Sequence, residues 1–327
     1  MSDYAELKQR VAARGLFDRQ PGYYALKFGV TFALAIASGA FLAWSPSIAT
    51  DVPAGLLLAV ATGQIGFLLH DTAHRQVFGP GARADAVVLV TGPLLMGVSG
   101  VWWKQKHDRH HAHPNDEKRD PDIQINVVAF SDRQARRKRG LARLVTRYQA
   151  RLIVLLFCFE GLNLKAASVR FLATTRSRLR RTEAALLTLH TGCYCALVVL
   201  AVGPLRAVVV VAVHQLLFGL YAASVFAPNH KGMPVLDGDG GLGYLERQVV
   251  TARNVRGHPA TDWWYGGLNY QIEHHLFPTL PRNRLREAQA IVRPFCAERG
   301  ISYCETSLWK SYGEVYRSFQ VYGAAAG

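Results

Sequence analysis

The sequence predicts an all-α integral membrane protein: four transmembrane helices in two hairpins, with interfacial helices and a cytoplasmic helical cap holding a histidine-rich metal site. Three observations predict it. Half of the 327 residues are apolar and fall in long blocks, the pattern of helices that cross a bilayer. Lys and Arg crowd beside those blocks, as on cytoplasmic loops. Histidines recur at spacings of three and four, which return to one face of a helix, in HDTAH (His70, His74), HDRHHAHPN (His107, His110, His111) and QIEHH (Gln271, His274, His275).

The N-terminus, MSDYAELKQRVAARGLFDRQPG, lacks the basic-then-apolar order of a cleaved signal and reads as an amphipathic, cytoplasm-facing lead-in. Membrane helices are expected over 24–44 and 53–70, joined by the turn-like SPSIATDVP; each approaches the ~20 residues a crossing needs. The second returns to the cytoplasm and delivers His70 and His74 there. Ala84 to Trp103 is nearly as apolar, yet one crossing would put the first two histidine clusters on opposite sides of the membrane. For clusters that share a site, this segment lies in the interface or dips in and returns, and Gly92, Pro93, Gly97 and Gly100 permit a broken path. Leu152 to Leu164, too short to span and interrupted by Glu160 and Asn163, is read the same way.

The runs SDRQARRKRGLARLVTR and RSRLRR are the strongest positive-inside signal and fix the histidine side as cytoplasmic, with anionic lipid head groups the nearest partners. The net charge of +15 comes with no nucleic-acid module, so a nucleic-acid partner is excluded. Residues 182–202 and 205–226 form the second hairpin, about Gly203 and Pro204. His190 and His214 inside it have no histidine at helical spacing and read as hydrogen-bonded members of the bundle. His230, just beyond, is level with the clusters, and its spacing alone leaves its role open. Segments 104–150 and 227–327 are cytoplasmic. In the latter, Leu285, Ala288, Ile291, Val292 and Phe295 mark an amphipathic helix that caps the site. Five cysteines without a CxxC pair suggest free thiols. No linker divides residues 1–327, which read as one domain.

Neutral imidazole suits iron, zinc, copper and nickel. Seven histidines in the clusters exceed the three or four that one zinc uses, so two metal ions share the set. Asp71, Asp108, Asp116, Asp262 and Glu273 stand beside the histidines and are candidates to take a ligand's other ring N–H. The scarcity of carboxylates argues against the carboxylate-rich di-iron sites of soluble bundles. A histidine-rich dinuclear site at a membrane surface points to redox work on a membrane substrate. Trp102, Trp103, Trp263, Trp264 and Tyr265 either line an apolar tunnel for a chain or form an aromatic belt.

HxxxH, HxxHH and QxxHH in this order, with HDRHHAHPNDEKRDPDI and GGLNYQIEHHLFPTLPR around the later two, resemble the integral-membrane fatty acid desaturases, in particular the front-end group and its bacterial relatives. The resemblance implies a di-iron enzyme that uses O2 and two electrons to remove two hydrogens from an acyl chain carried as acyl-CoA, on acyl-carrier protein or in a lipid. It makes His70, His74, His107, His110, His111, His274 and His275 iron ligands and adds His230, which matches the family's isolated histidine after the last membrane helix. Gln271 stands where many desaturases have histidine; glutamine there is a habit of the front-end group, and its amide either touches iron or orients a neighbour. Asp71, Asp108, His113, Asp262, Glu273, Trp103 and Trp264 are expected around the ligands or the substrate. Eukaryotic front-end desaturases often carry a fused cytochrome b5 domain with an HPGG motif, absent here. The resemblance therefore implies a separate electron donor, such as a ferredoxin, its reductase or a cytochrome b5-type protein, and the basic stretch Arg133 to Arg147 offers it or a substrate phosphate a surface. A hydroxylase or acetylenase would use the same boxes. A metal transporter would place its ligands at mid-membrane depth rather than at helix ends.

Overall fold

In the computed structural model, which describes residues 2–238 and 241–327, nearly all regular structure is helical. α1 (Asp3–Ala12) leads to the long helices α2 (Pro21–Ala43) and α3 (Ile48–Ala73). α4 (Ala82–Leu89) continues as a π-helical stretch, Val90–Met96, before α5 (Gly100–Ala112). α6 (Asp132–Arg137), α7 (Gly140–Arg147), α8 (Ile153–Cys158) and α9 (Glu160–Thr174) precede the long helices α10 (Arg180–Val202) and α11 (Pro204–His230). Then come α12 (Tyr244–Val250), β1 (Asn254–Val255), α13 (Pro259–Trp264), α14 (Gln271–Leu276), α15 (Leu285–Glu298), β2 (Glu305–Thr306) and α16 (Leu308–Ala324). β1 and β2 pair in parallel, Asn254 opposite Glu305.

The chain divides into two units. A transmembrane unit comprises Arg19–Gln105 and Phe157–Ala223; a histidine unit comprises the residues up to Asp18, Lys106–Leu156 and Ser224–Gly327. α2, α3, α10 and α11 are long and apolar enough to cross a bilayer, so the protein is a multi-pass membrane protein. On α10, Leu197 and Leu200 are 66% and 82% exposed, as side chains facing lipid are.

The helix ends differ from the expected spans for local reasons. α3 starts at Ile48 rather than 53, because Ser47 and Thr50 exchange side-chain bonds with each other's backbone as a capping box. α11 runs on past Phe226 to His230, through Pro228. Proline cannot donate to the carbonyl four residues back, and Tyr312 Oη donates to that carbonyl, Ser224 O, at 2.9 Å instead. The segment between the first two histidine clusters is broken: the helices on either side of Gly97–Ser99 are bent by 106°. Gly97 has φ 70°, and a Cβ there would press on His190 and Lys165, so both conformation and space require glycine. Beyond the bend, the start of α5 is held by Glu183 of α10, which accepts from Val101 N (3.0 Å) and Ser99 Oγ (2.7 Å).

In the transmembrane unit one apolar cluster joins Leu42, Ala54, Val198, Val202, Ala207 and Val210, so α2, α3, α10 and α11 all contribute. His214 sits between Thr62 Oγ1 (2.9 Å) and Tyr194 Oη (2.8 Å), and His190 Nδ1 lies 2.9 Å from Leu94 O; both are hydrogen-bonded, as their isolation in sequence suggested. α9 and α11 approach backbone to backbone. A Cβ on Gly219 would lie 2.2 Å from Cys158 O and 2.9 Å from Gly161 N, the close packing that small residues allow between membrane helices. Gly219→Val is therefore expected to destabilise the protein by about 1–3 kcal/mol. The check is its thermal unfolding midpoint in detergent, and an unchanged midpoint contradicts the close approach.

In the histidine unit Leu7 and Val11 of α1, Leu245 and Val249 of α12, Ile272 and Leu276 of α14, and Ala288, Val292 and Phe295 of α15 share one core. The amphipathic stripe from Leu285 thus packs on the helix that carries His274 and His275.

Candidate metal centre

Within the histidine unit the second and third histidine boxes meet. α5 carries His107, His110 and His111 on successive turns; α14 carries Gln271, His274 and His275; His230 closes α11. Two triads result. His111 Nε2 lies 3.1 Å from both His107 Nε2 and His274 Nε2. His110, His230 and His275, all buried, offer nitrogens within 4.8 Å of one another, with His110 Nε2 3.3 Å from His230 Nε2.

Hydrogen bonds on the far side of each ring fix which nitrogen faces the second triad. His110 Nδ1 lies 2.9 and 3.0 Å from the Asp120 carboxylate, which only accepts. His230 Nδ1 lies 3.1 Å from Thr251 O. His275 Nδ1 lies 2.9 Å from Gln248 Oε1, whose amide nitrogen already donates to His111 O at 2.8 Å. Each Nδ1 therefore carries the proton, and each Nε2 presents a lone pair. The facing lone pairs of His110 and His230 repel at 3.3 Å; Gln271 Nε2, 3.0 Å from His230 Nε2, offsets part of this as a donor, and a cation would offset it more fully, 3.3 Å being the spacing of two nitrogens held at ~2.1 Å by one ion. His275 Nε2 is buried and has no hydrogen-bond partner among the described residues. Burial, reinforced by the imidazoles of His111, His230 and His110, holds His275 well below the usual histidine range, so it stays neutral. Neutral imidazole is the form that binds a transition metal, and the donor set fits one.

The shell behind these rings rests on residues that spacing did not mark. Asp120 is fully buried and also accepts from Asn115 N (2.7 Å) and Asp122 N (2.8 Å). Asn115, with φ 53°, donates to the carbonyls of His230 (3.1 Å), Pro234 and Thr251. Arg253, fully buried, clasps the end of α11 through Pro228 O (2.8 Å) and Lys231 O (2.9 Å) and pairs with Glu314. Burial opposes ionisation of Asp122, but Lys106, His110 and Lys231 outweigh it and hold that carboxyl well below the usual range.

The other sequence candidates fall as follows. In the transmembrane unit, His70 and His74 end α3 with their ring centroids 4.6 Å apart. Asp71 Oδ1 lies 3.1 Å from His70 Nδ1, and Trp103 packs edge-on 5.8 Å from His70. Gln271 is buried; its Oε1 accepts from Asn229 Nδ2 (3.1 Å), and its Nε2 lies 3.0 Å from His230 Nε2. Glu273, also buried, accepts from Asn254 Nδ2 and Tyr303 Oη, both at 2.7 Å. Burial pushes its carboxyl up to about 7 against those two bonds. Asp262 takes Asn269 Nδ2 (2.8 Å) and Tyr270 Oη (3.4 Å), bracing the stretch that leads into α14. Trp264 Nε1 donates to Ser224 Oγ at 3.1 Å. Asp108 is exposed. His113 lies past the end of α5, outside both triads, with a buried Nδ1 that has no hydrogen-bond partner among the described residues.

Membrane helices and two imidazole triads define the class, a multi-pass helical membrane protein with a histidine-rich cluster consistent with a di-iron centre. Residues 46–307 match the family model for fatty acid desaturases. Among curated relatives, the chain is 32% identical over 317 residues to a Delta(8)-fatty-acid desaturase of Euglena gracilis, covering 92% of this chain and 74% of that protein. It is 29% identical over 335 residues to an Acyl-lipid (9-3)-desaturase of Physcomitrium patens, covering all of this chain and 63% of that protein. A Delta(6)-fatty-acid desaturase of Caenorhabditis elegans is 28% identical over 95% of this chain and 73% of its own length. The chain belongs to the fatty acid desaturase family.

Proposed function

We propose that this protein is a membrane fatty acid desaturase, an oxidoreductase that places a double bond in an acyl chain at a di-iron centre on the cytoplasmic face. The observation that carries the reading is the second triad, His110, His230 and His275, with each Nδ1 committed elsewhere and each Nε2 turned to its neighbours. Iron bound there would supply the activation of O2 for removing two hydrogens, with two electrons from a separate donor protein. This chain's residues do the rest. His107, His111 and His274 hold one ion and His110, His230 and His275 the other; His70 and His74 are proposed as ligands on the strength of the HxxxH box. Asp120, Thr251 and Gln248 keep the rings of the second triad in one tautomer, so that the lone pairs are in place before metal arrives.

The acyl group arrives as acyl-CoA, on acyl-carrier protein or in a lipid. Gln271 in the third box, and relatives named for Delta(8), Delta(6) and (9-3) desaturation, support a front-end position for the new double bond. The test is expression in a host with a suitable electron donor, followed by mass spectrometry of total acyl chains. The expected result is a new double bond that disappears without O2 and in His111→Ala. Unchanged acyl chains despite full iron loading and a working donor overturn the reading, and hydroxy acids alone replace it with a hydroxylase.

A further inference from the structure

We propose that Gln248 is a positioning residue for the di-iron centre: it sets the tautomer of His275 and ties that ring to the α5 backbone at His111, one residue from each triad. The inference rests on the di-iron reading above. Gln248 lies on α12, which contributes no ligand, and it is fully buried. Its Nε2 donates to His111 O at 2.8 Å, and its Oε1 accepts from His275 Nδ1 at 2.9 Å. A peptide carbonyl can only accept, so the amide has one orientation, and that orientation leaves His275 Nδ1 only the role of donor. The Nε2 lone pair is then aimed toward His110 and His230. The amide thus links His111 O to His275 Nδ1, and the rings of these two residues stack with centroids 4.3 Å apart and planes 22° apart.

α12 itself is fixed by Leu245 and Val249 in the core shared with α14, so Gln248 approaches both triads from a packed support. Gln248→Leu removes acceptor and donor together: His275 is then free to take the other tautomer, with its proton where the metal should be. Gln248→Glu keeps an acceptor for Nδ1 but loses the donor to His111 O, and its negative charge makes His275 a stronger electron donor to metal.

The experiment loads purified full-length wild type, Gln248→Leu and Gln248→Glu with ferrous iron under chelator competition. It reads iron per chain, the Mössbauer spectrum and the reduction potential, with circular dichroism as the check of folding. In Gln248→Leu, affinity at one of the two sites is expected to fall 10–100-fold, with one quadrupole doublet lost. Gln248→Glu is expected to keep both ions, with one doublet shifted and the potential lowered. Folded Gln248→Leu that holds two ions as tightly as wild type overturns the inference. Where the leucine variant does not fold, Gln248→Glu decides: a wild-type spectrum and potential overturn the inference, and a shift in one doublet supports it. Wild type that binds fewer than two ions overturns the di-iron reading, and this inference with it.

Discussion

His275→Ala is expected to hold one iron per chain where the wild type holds two, and to make no detectable unsaturated product. The size of the effect follows from how completely the side chain is committed. His275 is fully buried, donates through Nδ1 to Gln248 and turns into the second triad an Nε2 that has no hydrogen-bond partner among the described residues. Alanine leaves His110 and His230 as a pair whose lone pairs still face each other at 3.3 Å, too few imidazoles for a tight site. It also strands Gln248 Oε1, a buried acceptor, without its donor. Loss of an outer partner of a metal ligand costs 10–100-fold in affinity or activity, and loss of the ligand itself should exceed that. His113→Ala is the contrasting variant. His113 shares the HDRHHAHPN stretch yet lies outside both triads, so its iron content should match wild type. Elemental analysis of the purified proteins and mass spectrometry of acyl chains from the expressing cells read both variants. Two tightly held ions in His275→Ala, or one in His113→Ala, would show that the triads have been misdrawn.

The contrast between those two histidines shows what the sequence made legible. The HxxHH triplet marked His107, His110 and His111, because an α-helix is a local structure whose faces can be counted; His113, three residues after His110, lies outside that triplet and past the end of α5. The four long apolar helices were legible as runs long enough to cross a bilayer, and Gly92, Pro93, Gly97 and Gly100 marked a stretch where the path could break. His230 was not, since a lone histidine carries no period; the resemblance to a family singled it out, and the fold brings it to His110. Gln248 and Asp120 were missed altogether. Gln248 is 27 residues from His275 in sequence and sits on a different helix, and its value lies in a pair of hydrogen bonds that only tertiary packing creates. Carboxylates were sought next to the histidines, and adjacency did find Asp71 beside His70. Asp108 and Asp262, picked by the same rule, lie elsewhere: one is exposed and the other braces Asn269 and Tyr270. For His110 the carboxylate partner comes from beyond its own helix, ten residues on, rather than from an adjacent position.

Asp120 is that partner, and Asp120→Ala is expected to weaken iron binding at the second triad 10–100-fold and to lower the thermal midpoint as well. One buried carboxylate receives His110 Nδ1, Asn115 N and Asp122 N. Alanine leaves three donors unsatisfied in a site closed to water, at about 1–3 kcal/mol each. The losses are not independent. Asn115 N is held by Asp120 while the Asn115 side chain holds the carbonyls of His230, Pro234 and Thr251, and Thr251 O in turn receives His230 Nδ1. Removing the carboxylate therefore loosens two of the three rings at once, His110 directly and His230 through Asn115. Asp120→Asn separates charge from geometry: it keeps one oxygen to accept, but turns an amide N–H toward a site that supplies only donors. It should fall between wild type and alanine in stability and lie near alanine in metal affinity. Chelator-competition titration alongside thermal unfolding reads the two effects separately. Alanine with wild-type iron affinity would mean that His110 does not depend on Asp120 for its tautomer and that the second triad is not set before metal arrives.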